Sequence, residues 1–246
     1  MTGDEDLDRP GPGTLSGATT ARVSRRRMLT AAAGGAVAGG IAVAAGSPAD
    51  ADQTTASTAV GTGPRGTTTV EFRGRISQSG SSGAVFTSLG YLTRATHTKR
   101  SQLFAGAPHN ESTALLTAFA TGDLQARVLD ESVHSLDIVG TLAIHQRRHP
   151  GAHFDDPSSF RVGPVVARYD LVLQDVLAVY AAGKGIPTLT GDMVQTVGRS
   201  LSGDLAGKTF GRAGSRLRFF ATGLGTLTDP VTLNADLEIA GNWSIE

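Results

Sequence analysis

Val231-Thr232-Leu233-Asn234-Ala235-Asp236-Leu237-Glu238-Ile239-Ala240-Gly241-Asn242-Trp243 alternates with a period of two. Its odd positions are apolar or glycine, and its even positions are polar apart from Ala240. Successive side chains of an extended chain point to opposite sides, so this pattern describes a strand with one face in a core and the other in water. Residues 132–145 repeat it, with His134, Leu136, Ile138, Leu142 and Ile144 set against Ser135, Asp137 and Thr141. In 68–76, Val70, Phe72 and Ile76 oppose Glu71, Arg73 and Arg75. Less regular alternation runs through 83–95, 113–128, 165–180, 188–197 and 215–227, and a further short strand is expected near 204–210. No run of ten or more residues keeps a helical stripe between caps, and 178–185 has room for one turn at most.

The chain therefore reads as all-β, with eight or nine antiparallel strands. Gly-bearing turns are expected at Thr121-Gly122-Asp123 and Arg212-Ala213-Gly214. Gly74, Gly90, Gly140, Gly223 and Gly241 fall inside strand patterns, where glycine marks a bulge, a bend or a close backbone approach. A strongly coiled sheet needs such positions repeatedly, which favours a single closed antiparallel barrel over the alternative, a β-sandwich. Phe119-Ala120-Thr121-Gly122 and Phe220-Ala221-Thr222-Gly223 echo one another, and recurrent strand chemistry accounts for the echo as well as a duplication does. The irregular stretch 147–162 is the longest loop and is expected to overhang one end of the domain.

The 246 residues carry 22 basic and 22 acidic side chains, and no cysteine. A neutral balance argues against a nucleic-acid partner, which needs a surplus of Lys and Arg to neutralise phosphates. Without cysteine there are no disulfides, thiol nucleophiles, iron–sulfur clusters or Cys-zinc sites.

The first 51 residues have the layout of a cleaved signal peptide. Ser24-Arg25-Arg26-Arg27-Met28-Leu29 leads into an uncharged run from Met28 to Gly46, mostly Ala, Gly and Val, and Ala49-x-Ala51 supplies the small residues a signal peptidase needs. The segment resembles a bacterial twin-arginine signal at Ser24, Arg25, Arg26, Met28 and Leu29, with Met28 in place of the usual Phe and Thr30 where Lys is common. The resemblance implies recognition through Arg25 and Arg26 by the twin-arginine export machinery and cleavage after Ala51. It also implies passage, already folded, across the bacterial cytoplasmic membrane to a secreted or cell-envelope location. A membrane anchor is the competing reading, but an Ala/Gly run with one Leu and one Ile gains little on insertion. Five acids and five bases precede residue 52, so the mature chain keeps 17 of each and stays neutral. Residues 52–66, rich in Thr, Ala, Gly and Ser, read as a flexible linker before a barrel domain at 67–246.

No Gly-x-Ser-x-Gly elbow, phosphate loop or His-Glu-x-x-His helix is present. His145, His149 and His153, followed by Asp155 and Asp156, offer imidazole and carboxylate ligands. Pro150-Gly151 breaks their spacing and Arg147 and Arg148 oppose a dication, so the expectation is a solvated loop with no metal and no cofactor. Strand 165–180 is more informative. Its odd face reads Val165, Ala167, Tyr169, Leu171, Leu173, Asp175, Leu177 and Val179. Asp175 interrupts an apolar row, and a carboxylate facing a barrel interior needs a partner or a raised pKa. A bulge near Gln174 that returns Asp175 to solvent, or a structural pair with an Arg, are the other readings. Asp175, Tyr169, Gln195 and His134 are the expected ligand-binding residues, and Tyr91 is a further polar group on an inward face.

In size and strand pattern, residues 67–246 resemble the allene oxide cyclase and dirigent barrels, and more distantly the lipocalins. The likeness is one of form, and no catalytic position carries over. It implies a small antiparallel barrel that holds an apolar ligand. The function expected is binding of a small, mainly apolar molecule. The alternatives are a cyclase or isomerase in which Asp175 or a Tyr is the polar handle, and a non-catalytic envelope protein whose barrel is filled by its own side chains. The oligomeric state is not legible.

Overall fold

The computed structural model describes residues 59–80, 85–229 and 234–246. The expected signal, with Arg25, Arg26, Ala49 and Ala51, lies outside the described residues, as do linker residues 52–58. Eight antiparallel strands close into one barrel in sequence order: β1 (Thr68–Ser79), β2 (Val85–Ala95), β3 (Leu116–Asp130), β4 (Val133–Gln146), β5 (Val165–Ala181), β6 (Lys184–Gly198), β7 (Arg216–Asp229) and β8 (Asn234–Ile245). The seam is the β1–β8 pair, where Phe72 faces Gly241 and Ile76 faces Leu237. The barrel is thus closed and not a sandwich, and the alternation read from sequence sorts inside from outside along β1, β4, β5 and β8.

Inward glycines let the sheet coil tightly. Gly74 faces Gly90 across β1 and β2, and Gly122 faces Gly140 across β3 and β4. A Cβ added to Gly140 would lie 2.1 Å from the Thr121 carbonyl oxygen, and one on Gly223 would lie 1.8 Å from that of Glu238. No side chain fits there, so these positions hold the strands at close approach where the sheet bends. Gly122 therefore belongs to the middle of β3 and not to a turn. Gly214, by contrast, sits in a turn, with φ of 85°.

The two ends of the barrel differ. At one end the described connections are the short tips 131–132 and 182–183. At the other, three long connections run through 96–115, 147–164 and 199–215. The expected short strand at 204–210 is instead a 3-10 turn (Gly203–Leu205) followed by isolated bridges, Ser200 to Thr209 and Phe210 to Val60. Leu205 and Phe210 turn in to plug the barrel. Residues 59–63 also correct the expected linker. Val60 is fully buried, donates its N–H to Thr209 and accepts from Gly211 N–H, both at 2.8 Å. A single branched side chain in an otherwise small, polar segment is enough to dock it. With Leu201, Leu205 and Phe210, all at most 5% exposed, it seals the loop end.

The loop 147–164 does not overhang an end. It lies against the outside of β2 and β3, where Phe160 and Ala152 cover Leu89, with Phe119 and Phe154 beside them. Thr117 donates its hydroxyl to the Phe160 carbonyl at 2.9 Å. Arg147, 8% exposed, donates to the carbonyls of His149 and Ser159 and so ties the loop to itself. Tyr91 shares this outer layer. It pairs with Arg73 and Thr117 on the outward register and is buried by Phe104 and Phe154, with ring centroids at 6.1 and 6.4 Å. Its burial, which also pushes the phenol pKa up, has nothing to do with the lumen.

Candidate functional site

Sealed at the loop end, the barrel is a cup whose cavity reaches the opposite end at Arg127, Glu131 and Lys184. The lumen holds a cavity of about 340 Å³, so the barrel is not filled by its own side chains. That volume lies at the lower end of the range for small-molecule sites, roughly 300–1,000 Å³. The floor is aromatic: Phe72 stacks on Phe219 with centroids 5.3 Å apart and meets Trp243 at 5.7 Å. Ile138, Leu142, Leu171, Leu189 and Ile239 make much of the wall. The mouth carries the ionisable groups Arg127, Glu131, His134 and Lys184.

Asp175 interrupts this apolar wall. On β5 it lies between Leu136 of β4 and Leu189 of β6, and it is only 4% exposed. No register shift occurs near Gln174, so the parity of β5 carries the carboxyl into the lumen as the alternation predicts. One of its oxygens accepts the Thr188 backbone N–H at 3.1 Å. Pro187, which has no N–H, adjoins Thr188 in a stretch where the β6–β7 pairing passes from Gly185 opposite Gly225 to Thr188 opposite Thr222. Among the described residues no ion pair reaches Asp175, which removes the structural Arg pairing as an explanation. Loss of solvation pushes its pKa from 3.8 up to about 6, against the opposing pull of the Thr188 hydrogen bond.

The other expected residues divide by depth. His134, near the start of β4, lines the mouth with Asp175 in the same cavity. Tyr169 and Gln195 also point inward, but at the plugged end beneath the floor. Tyr169 is 1% exposed and packs on Trp243 at 6.0 Å, and burial raises its phenol pKa. Gln195 is spent on structure: its amide donates to the carbonyls of Val197 and Phe210, both at 2.9 Å, and accepts the Arg212 N–H at 3.0 Å. Neither residue touches the cavity.

Four lining residues were invisible to sequence pattern: Arg127, Leu129, Glu131 and Lys184. A bulge between Leu124 and Ala126 shifts the register of β3, and beyond it the odd residues Arg127, Leu129 and Glu131 line the cavity. Lys184 enters from the tip between β5 and β6. Trp243 is on the expected face, and its Nε1–H is buried with no hydrogen-bond partner, the one such side-chain atom among the described residues.

The histidine triplet does not assemble. His145 ends β4 facing outward, where its Nδ1 meets the Gly163 carbonyl at 3.1 Å and burial holds its pKa below the ordinary range. His153 bridges Asp156 through the backbone, and Asp156 caps the following turn by accepting from the Ser158 N–H and hydroxyl. Among the described residues no three His, Asp or Glu side chains stand close enough to share a metal ion. A second depression, on the outside of β1 and β8 around Arg73, Arg100 and His109, is open to solvent and of mixed polarity. Set against protein-family models, curated proteins and solved structures, the chain matches none.

Proposed function

We propose that this protein binds a small, mainly apolar molecule in the lumen of its barrel. The observation that carries the reading is the cavity itself: about 340 Å³ of space walled by leucines, isoleucines and aromatics, sealed at one end and open at the other. Apolar area left uncovered in a folded core forfeits stabilisation that a fitting ligand restores. The leader supports a place for this activity outside the cytoplasm, reached through the twin-arginine machinery and signal peptidase. Lys replacements at Arg25 and Arg26 should then hold the chain inside the cell with its leader uncleaved.

Native mass spectrometry of the protein purified from its host tests the binding. The expected result is an organic adduct that disappears on denaturation and is missing from Ala120→Phe, whose larger side chain would project from β3 into the cavity. A bare polypeptide mass, together with no uptake of neutral naphthalene-sized probes by the wild-type chain, would overturn the reading.

Asp175 favours a second reading. A carboxyl with a pKa of about 6 in a water-poor lumen suits proton transfer, as in a cyclase or isomerase that folds a reactive chain against the wall. Conversion of a bound compound that stops in Asp175→Asn, while binding persists, would select catalysis over carriage.

A further inference from the structure

We infer that the ligand carries one neutral hydrogen-bond donor, a hydroxyl or N–H on an otherwise apolar body, which donates to the Asp175 carboxylate oxygen left over by Thr188. This inference rests on the lumen being a ligand site, and it specifies what that site selects. The geometry is that of one acidic group on an apolar wall. Asp175 is flanked along β5 by Leu173 and Leu177 and across the sheet by Leu136 and Leu189. Of its two oxygens, one takes the Thr188 N–H and the other has no protein donor among the described residues.

An entirely apolar ligand would strip the remaining water from that oxygen and give nothing back, so the carboxylate selects against it. A ligand offering only acceptor atoms meets a lone pair and is rejected unless the acid first takes up a proton. A donor supplies a charge-assisted hydrogen bond, the stronger kind, in a setting of low dielectric. A cation would satisfy the oxygen too, but burying it against an apolar wall costs it its hydration, a penalty that one ion pair seldom repays. A neutral donor carries no such penalty. The raised pKa of Asp175 is consistent with a carboxyl that lacks such a partner in the empty cup.

The test holds the apolar body constant and changes one group. Binding of 2-methylnaphthalene, 2-methoxynaphthalene, 2-naphthol and naphthylmethylammonium to the full-length folded protein is measured by calorimetry at pH 7.5, above the range in which Asp175 titrates. The expected order places 2-naphthol at least tenfold tighter than the methyl and methoxy compounds and tighter than the ammonium. At pH 5, where Asp175 is largely protonated behind the mouth groups Arg127, Glu131, His134 and Lys184, that advantage shrinks. In Asp175→Asn the amide oxygen keeps the Thr188 N–H and the amide NH2 faces the lumen, so preference should swing to the methoxy compound. Asp175→Leu should erase the discrimination and bind all the neutral compounds. Equal affinity of the neutral compounds for the wild-type chain would overturn the donor inference while leaving the cavity reading intact. Preference for the ammonium would replace a neutral donor by a cation, and absence of binding by every compound would overturn both.

Discussion

Asp175→Asn should make the folded protein more stable at neutral pH, because the wild-type carboxylate is held where it is poorly solvated. Its pKa is 3.8 in water and about 6 in the fold. At about 1.4 kcal/mol per tenfold difference in proton affinity, ionising Asp175 costs the native state roughly 3 kcal/mol relative to the unfolded chain. Between these two values the native state binds more protons than the unfolded state, so wild-type stability falls as pH rises through that window. Above it the penalty is constant, and below about pH 4 it vanishes. The Asn side chain keeps an oxygen for the Thr188 N–H and carries no charge at any pH. Urea unfolding, followed by the fluorescence of Trp243, the only tryptophan, reads the effect directly. At pH 7.5 the variant should be more stable by about 2–3 kcal/mol, a midpoint shift of about 1–2 M at ordinary urea sensitivities. At pH 4 the two proteins should coincide. A variant no more stable than wild type at pH 7.5, or a gain that persists at pH 4, would refute the placement of a desolvated carboxylate in the lumen.

Two further substitutions probe the scaffold. Gly140→Ala drives a methyl group into the Thr121 carbonyl and the Gly122 Cα, 2.1 and 2.7 Å away, and should cost about 2–4 kcal/mol in the same urea assay; a native-like midpoint would mean that β3 and β4 are not so close. Gln195→Ala strands the Arg212 N–H and two carbonyls at the plugged end and should cost roughly 2–4 kcal/mol, with faster hydrogen exchange across 199–215. Ligand uptake at the opposite end should be unchanged in that variant, and a loss of uptake would show that the floor depends on the plug.

Along β1, β4, β5 and β8 side-chain alternation established which residues face inward, because an unbulged strand has a period of two whatever the tertiary context. It carried Asp175 to the lumen and separated Val70, Phe72 and Ile76 from Glu71, Arg73 and Arg75. What alternation does not encode is depth. Tyr169 and Asp175 share one face of β5, yet Tyr169 lies under the floor and Asp175 in the open half, because depth depends on the stagger of eight strands and on which end the long connections fill. A one-residue bulge was enough to reverse β3, so Arg127 and Glu131 were hidden from the pattern. Burial was also ambiguous for Tyr91, covered from outside by a loop, and for Val60 and Phe210. Their mutual bridge joins positions 150 residues apart and leaves no local trace.

The β1–β8 seam has a consequence for synthesis. Seven of the strand pairings join neighbours in the chain, but the eighth joins its extremes, and the Thr69 hydroxyl meets the Trp243 carbonyl across 174 residues. Until β8 leaves the ribosome, β1 has one bare edge, a row of unpaired N–H and C=O groups open to any other strand. At roughly 5–20 residues per second that edge waits about 10–35 s. The topology therefore bars closure until β8 is available, and the chain becomes a vessel only in its last step. Until then the lumen has no fourth wall, and a ligand has nothing to enter.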